Sequence, residues 1–203
     1  MRKVLCFLFI LCFLSGEVFC LTRGPMAFSF EAGKGGWMVP IWSKHKKDHV
    51  ADFAKITAER AVGGEKSLEI MCRFPGDKWT AALVEYEGDM DLSGCEKISA
   101  DVFLPEEAET NLIQARLILT TGDWEFVESK KPVILEPGEW TRVSAPLDLE
   151  PVKESWYWKF EKGGFSDKLK NVRKIAVRIE YDTGKWTGPS YEGPLYIDNV
   201  IVR

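Results

Sequence analysis

The chain has 203 residues, with 31 Asp and Glu against 27 Lys and Arg, a formal net charge of −4 and 45% apolar residues. A mildly acidic chain lacks the clustered Lys and Arg that a nucleic-acid backbone rewards, so nucleic acid is excluded as a partner. The one basic run, Lys44-His45-Lys46-Lys47, reads as a solvated loop.

The first stretch reads as a targeting signal. Arg2 and Lys3 form a basic start, Val4 to Leu14 is unbroken apolar sequence, and Val18 and Cys20 precede a cut at Leu21. The apolar run is shorter than the roughly 20 residues a membrane helix requires, so no membrane span is expected. Glu17-Val18-Phe19 suits a lipid anchor on Cys20 poorly. The expectation is a signal peptide over 1–20 and a single secreted domain, extracellular or periplasmic, over 21–203. Losing Arg2, Lys3 and Glu17 takes the net charge from −4 to −5 and leaves Cys72 and Cys95 of the five cysteines. An oxidising compartment permits a bridge between those two. Cys72 also shares a strand face with Leu68 and Ile70, which suits a buried free thiol, and both readings stay open.

From there, apolar and polar residues alternate with period 2 and long helical periodicity is absent. Phe28-Ser29-Phe30-Glu31 reads as a short strand before a glycine-rich turn. Leu68, Ile70 and Cys72 alternate with Glu69, Met71 and Arg73, and Thr80, Ala82, Val84 and Tyr86 with Trp79, Ala81, Leu83 and Glu85. Ile98 to Leu104 follows the turn Asp91-Leu92-Ser93-Gly94 and stops at Pro105. Ala115, Leu117 and Leu119, then 140–145 and 174–181, repeat the pattern, with a helical turn expected over 167–172. The final strand is Gly193 to Val202. Gly63-Gly64, Pro75-Gly76-Asp77 and Glu136-Pro137-Gly138 punctuate the series. Many short strands without helical crossovers predict an all-β fold, an antiparallel β-sandwich or barrel.

Asp198 sits among Tyr, Ile and Val on the final strand, where a lone carboxylate is costly to bury and requires a partner. If the first and last strands are neighbours, Glu31 and Asp198 share one Ca²⁺, a hard ion that takes oxygen ligands.

Eight tryptophans lie beyond the leader. Indole faces stack on sugar rings and equally anchor cores. Trp140, entering a strand after Gly138, and Trp37, behind Gly35-Gly36, read as structural. Trp42, Trp79 and Trp124 stand at loop–strand junctions beside polar or flexible residues, where a binding platform and a core role both stay open. Trp156, Tyr157, Trp158 and Trp186 fall in irregular segments and read in part as cover for a sandwich edge. Gln114, Arg116, Arg178 and Glu180 alternate with core residues; on neighbouring strands they line one polar face, which either meets sugar hydroxyls or is simply solvated.

Catalytic signals are weak. His45 and His49 have a helical zinc-pair spacing without the accompanying Glu, and no Ser occupies a Gly-x-Ser-x-Gly elbow. A glycosidase requires two suitably separated carboxylates, for which Glu85 and Glu125 are the candidates and ordinary surface acids the plainer reading.

Taken together, Phe30-Glu31, Asp91-Leu92-Ser93-Gly94 with its following strand, Trp79, Trp124 and the closing Ser190-Tyr191-Glu192-Gly193-Pro194-Leu195-Tyr196-Ile197-Asp198-Asn199-Val200 resemble carbohydrate-binding modules of family 27. These are mannan-binding jelly rolls attached to bacterial mannanases, within the galactose-binding-like superfamily. The resemblance implies a jelly roll that binds sugar without catalysis. It implies stacking by Trp42, Trp79 and Trp124, and a structural calcium at Glu31 and Asp198. Trp37 competes with Trp42 for its place. The implied ligand is β-mannan, glucomannan or a related β-glycan, with hydroxyls bonded directly or through water. No catalytic domain accompanies the module here, which implies a stand-alone binder or association with a separate glycoside hydrolase. A small glycanase or lyase and a structural domain without a glycan ligand are the competing classes.

Overall fold

A computed structural model of the protein describes residues 22–147, 156–157, 164–182, 184 and 187–203. The expected leader, Trp158 and Trp186 lie outside these residues. The alternating segments form β1 (Thr22–Arg23), β2 (Met26–Phe28), β3 (Ala51–Thr57), β4 (Ser67–Phe74), β5 (Thr80–Asp91), β6 (Lys97–Phe103) and β7 (Ile113–Thr121). They continue as β8 (Phe126–Ser129), β9 (Val133–Ile134), β10 (Trp140–Pro146), β11 (Trp156–Tyr157), β12 (Val172–Tyr181) and β13 (Tyr191–Val202). The helical turn expected over 167–172 is α1 (Phe165–Leu169), with β12 starting at Val172.

A first sheet has the order β1-β5-β12-β7-β8-β11, with β9 also on β7, and a second has the order β10-β6-β13-β4-β3, with β2 also on β13. Within the sheets pairing is antiparallel except at β1–β5. The all-β sandwich expected from the alternation is therefore the fold.

The period-2 pattern sends one face of each strand inward. Ile175, Val177, Ile179 and Tyr181 of β12 and Leu68, Ile70, Cys72 and Phe74 of β4 belong to one buried cluster. Phe74 and Tyr181 touch across the two sheets at 5.9 Å between ring centroids. Each such side chain contributes about 1.5–3 kcal/mol relative to exposure. Trp156 is buried, donates its indole N–H to the Pro146 carbonyl at 2.6 Å and packs on Phe165. Cys72 and Cys95 are both free and buried, and burial pushes the Cys72 thiol pKa upward.

The condition set for Glu31 and Asp198, that the first and last strands be neighbours, is met: Phe28, Ala27 and Met26 of β2 pair with Val200, Ile201 and Val202 of β13. The opening strand nevertheless ends at Phe28 rather than running to Glu31. Phe30 has a left-handed backbone, φ 62°, which turns its ring into the core and releases Glu31 toward the segment before β4. A second correction concerns Trp140. It is half-buried on the outer side of edge strand β10, opposite Phe103, rather than in the core.

Candidate functional site

The outer face of the first sheet carries the residues left over from the core. Directly opposed residues share a face, so the register gives rows across β5, β12 and β7. Leu83, Arg178 and Arg116 form one; Glu85, Ala176 and Ile118 the next; Ala81, Glu180 and Gln114 a third. Lys174, Thr120 and Phe126 form a fourth across β12, β7 and β8.

Around these rows stand the exposed aromatics. Trp124 is 63%, Phe126 52%, Trp42 42% and Trp79 38% exposed. Trp42, Trp124 and Phe126 border a pocket of about 250 Å³ whose floor is Leu83, Ile118 and Ala176, with Glu85 and Lys174 in its wall. Trp79 stands on the same face, with the Arg178 guanidinium 5.9 Å from its ring and 5.9 Å from that of Phe126. The face thus gathers the three tryptophans singled out from their loop–strand positions. Trp37 goes the other way, fully buried against Phe28, Phe30 and Tyr86.

Local structure fixes these rings. Trp42 lies in a 3-10 turn, Ile41–His45, that follows Pro40 and is pinned by the buried Ser43 hydroxyl donating to the Pro40 carbonyl at 2.8 Å. The His49 ring meets Trp42 edge-on at 5.1 Å and donates its Nδ1–H to Asp48 Oδ1, 3.0 Å away. Trp124 has φ 63° in a turn closed by its N–H on the Thr121 carbonyl at 2.8 Å. A left-handed tryptophan costs about 1–3 kcal/mol, a strain that clusters at ligand sites. Lys174 Nζ lies 5.8 Å from its ring.

Gln114, Arg116, Arg178 and Glu180 come together as one network with Glu180 as hub. The Glu180 carboxylate, 3% exposed, accepts from Gln114 Nε2 at 3.2 Å and Arg116 Nε at 3.3 Å, and pairs with Arg178. Arg178 also reaches Glu128, Gln114 also reaches Asp182, and Arg116 donates to the Ser129 and Lys130 carbonyls, each at 2.7 Å. Opposite charges satisfy one another here, so the face holds fixed donors and acceptors without a large field of one sign. Glu85 pairs with Lys174 at 2.6 Å. Burial pulls the Lys174 ammonium down, but Glu85 and Glu87 outweigh it and its pKa lies above the ordinary lysine value.

The two carboxylates weighed as catalytic candidates are each held by a lysine, Glu85 by Lys174 and Glu125 by Lys168 at 2.7 Å. His45 closes the 3-10 turn and His49 bridges to Ala81 beyond it, so the pair does not share a helix face. Phe126, Glu128 and Lys174 were not singled out from the sequence. The signal for Phe126 and Glu128 was their alternation with Val127 and Ser129 directly after Trp124.

Glu31 and Asp198 converge on one segment, residues 62–66. Glu31 Oε1 accepts the N–H groups of Glu65 at 3.0 Å and Lys66 at 2.9 Å. Asp198 Oδ2 accepts those of Val62 at 3.0 Å and Gly63 at 3.2 Å. Gly64, at φ +78°, leaves no room for a Cβ against the Glu31 carboxylate. Asp198 is fully buried, beside Asp101, which is itself paired with Arg142 at 2.6 Å. Burial raises the Asp198 pKa against these hydrogen bonds. Among the described residues, no three His, Cys, Asp or Glu side chains form a metal-binding group.

No protein-family model and no curated protein matches the chain. Solved structures do. A structure described for the promiscuous specificity of carbohydrate-binding modules of the β-sandwich superfamily matches at TM-score 0.53 and 14% identity, over 90% of this chain and 63% of that one. The chain therefore spans less than two thirds of that structure's length. An exo-β-agarase matches at TM-score 0.52 and 13% identity, over 78% of this chain and 24% of that one. A mannan-recognising module, TmCBM27, follows at TM-score 0.45 and 17% identity, over 88% and 94% of the two chains, and family 27 is not singled out by it. At these identities the likeness is one of fold, the β-sandwich that carbohydrate-binding modules share.

Proposed function

We propose that this protein is a secreted, non-catalytic carbohydrate-binding module that takes a neutral β-glycan across the outer face of its first sheet. The observation that carries this reading is the gathering of Trp42, Trp79, Trp124 and Phe126, all exposed, around one sheet face beside a self-paired network of Gln114, Arg116, Arg178 and Glu180. Rigid aromatic faces supply contact area to pyranose rings, and preset donors and acceptors fix orientation. The fold likeness to carbohydrate-binding modules supports the same class. Within it, β-mannan or glucomannan is the proposed ligand and a separate glycoside hydrolase the proposed associate.

Calcium is proposed as a structural ion at Glu31 and Asp198. Its support is a fully buried Asp198 carboxylate with no cation beside it among the described residues, and a second carboxylate tied to the same segment. Backbone carbonyls would have to complete the six to eight oxygens such an ion takes.

Affinity electrophoresis in gels containing mannan, glucomannan, xylan or β-glucan tests the function. Retardation by a β-mannan, with no new reducing ends after long incubation, is expected. Free migration in every gel overturns the binding reading. Steady release of reducing ends, abolished by Glu85→Gln or Glu125→Gln, makes the protein a glycanase instead.

A further inference from the structure

At the end of the second sheet where β13 begins, its outer face borders a cavity of about 490 Å³, larger than the pocket of about 250 Å³ on the first sheet and within the roughly 300–1,000 Å³ of small-ligand sites. Its walls are Glu59 and Arg60, which follow β3, Glu107, which follows β6, and Tyr191, Pro194 and Tyr196 of β13.

The cavity stands beside an aromatic row set by strand register. Trp140 of β10 opposes Phe103 of β6, which opposes Tyr196 of β13. Ring centroids are 5.5 Å apart in the first pair and 6.0 Å in the second. Phe103 and Tyr196 are both buried, so the row is a fixed base. Two charged groups are held on it. The Arg60 guanidinium lies over the Phe103 ring at 4.9 Å, and the Tyr196 hydroxyl donates to Glu59 Oε2 at 3.0 Å. Among the described residues Arg60 has no ion pair, so its planar set of N–H donors is presented to the cavity next to the acceptors of Glu59 and Glu107.

We infer that this cavity is a second carbohydrate site, one that takes a neutral sugar unit on the sheet face opposite the tryptophan cleft. An anion entering it meets Glu59 and Glu107, and a cation meets Arg60. A sugar hydroxyl donates and accepts at once and matches both. The row positions Arg60 and Glu59 before any ligand arrives, which removes part of the ordering cost of binding. Two sites on opposite faces cannot hold one short oligosaccharide together, but they let one domain bridge two polysaccharide chains.

Amide NMR shifts of the isotope-labelled full chain, titrated with mannohexaose and with cellohexaose, test this. Saturable shifts are expected at Glu59, Arg60, Glu107, Tyr191 and Tyr196 with at least one probe. They should persist in a Trp79→Ala/Trp124→Ala double variant and weaken at least tenfold in Arg60→Ala and in Glu107→Gln, whose unliganded spectra stay native. Two results overturn the proposal: no shift at these amides with either probe, or shifts undiminished in both Arg60→Ala and Glu107→Gln. A response to lysine amide in place of the sugars makes the cavity a cation site and overturns it equally. Shifts here without shifts at Trp124 and Phe126 would instead remove the first-sheet reading and leave this one standing.

Discussion

On the outer face of the first sheet Trp79, Trp124 and Phe126 stand 38–63% exposed, whereas on the outer face of the second sheet Phe103 and Tyr196 are each 4% exposed. Both faces are built from the same materials: aromatic rings and carboxylates at outward strand positions, with arginines between them. The difference is the segment between β3 and β4. It places Arg60 on Phe103, Glu59 on the Tyr196 hydroxyl, and the N–H groups of Val62 and Gly63 on Asp198. Trp124 has only the Lys174 ammonium 5.8 Å from its ring among the described residues, and its flanking turn folds back on Thr121, leaving it 63% exposed. Among the described residues, an outward aromatic row is buried where a loop roofs it and stays exposed where none does.

The largest expected effect checks the boundary between core and platform. Trp37→Ala should cost about 3–5 kcal/mol in denaturant unfolding, as loss of a fully buried Trp does, because its ring packs on Phe28, Phe30 and Tyr86. Its effect on glycan affinity should be indirect. A near-neutral Trp37→Ala would dissolve the distinction between the two kinds of tryptophan.

Next comes the anchor of the roof. Burial raises the Asp198 pKa above its ordinary 3.8. For an acid this means the folded state binds the proton more readily than the unfolded chain. Asp198 therefore favours folding below its ordinary pKa, and that contribution is lost as pH rises through the raised value. In chelator near neutral pH, Asp198→Asn, which keeps a carbonyl toward Val62 and Gly63, should be at least as stable as wild type. With Ca²⁺ at a hundred times its dissociation constant the wild type should gain about 2.7 kcal/mol, and the variant nothing. Melts of both proteins with and without chelator check this. A wild-type melt indifferent to Ca²⁺, in protein shown to be metal-free, removes the ion from the account.

Smaller again, and on affinity rather than stability, are Trp79→Ala and Trp124→Ala. Each should weaken glycan binding by about 2 kcal/mol, roughly 30-fold, with melting temperatures near wild type. Lost stability with retained affinity would assign these rings to the core. The smallest effect on glycan affinity belongs to Trp140→Ala. It should cost about 0.5–1.5 kcal/mol beyond its lost area through the ring contact with Phe103, and leave mannohexaose binding at the first face unchanged.

Much of this was legible in the chain. Alternation over 67–74, 98–104 and 174–181 named strands that exist, displaced by a residue or two at some ends, whereas the pairing of the last strand with the opening segment entered only as the condition for an ion at Glu31 and Asp198. The inward and outward sets on β7 and β12 followed from the same period, so Gln114, Arg116, Arg178 and Glu180 were correctly grouped before their register was known. Trp37 and Trp42 were harder, since each follows a loop and differs only in what tertiary structure lays over it. Trp140 failed for the same reason. Strand entry after a glycine turn says that a residue alternates, and says nothing of which side faces the other sheet. The placement of β12 between β5 and β7 depends on long-range pairing that no local pattern encodes, whereas Phe126 reaches the same face through the local β7–β8 hairpin, opposite Thr120.

The most direct test of the central claim is a crystal structure of the protein with β-1,4-mannohexaose. Pyranose rings are expected against Trp124 and Trp79 on the outer face of the first sheet, with hydroxyls bonded to the network of Gln114, Arg116, Arg178 and Glu180. A complex in which that face is empty while the oligosaccharide is bound elsewhere would contradict it.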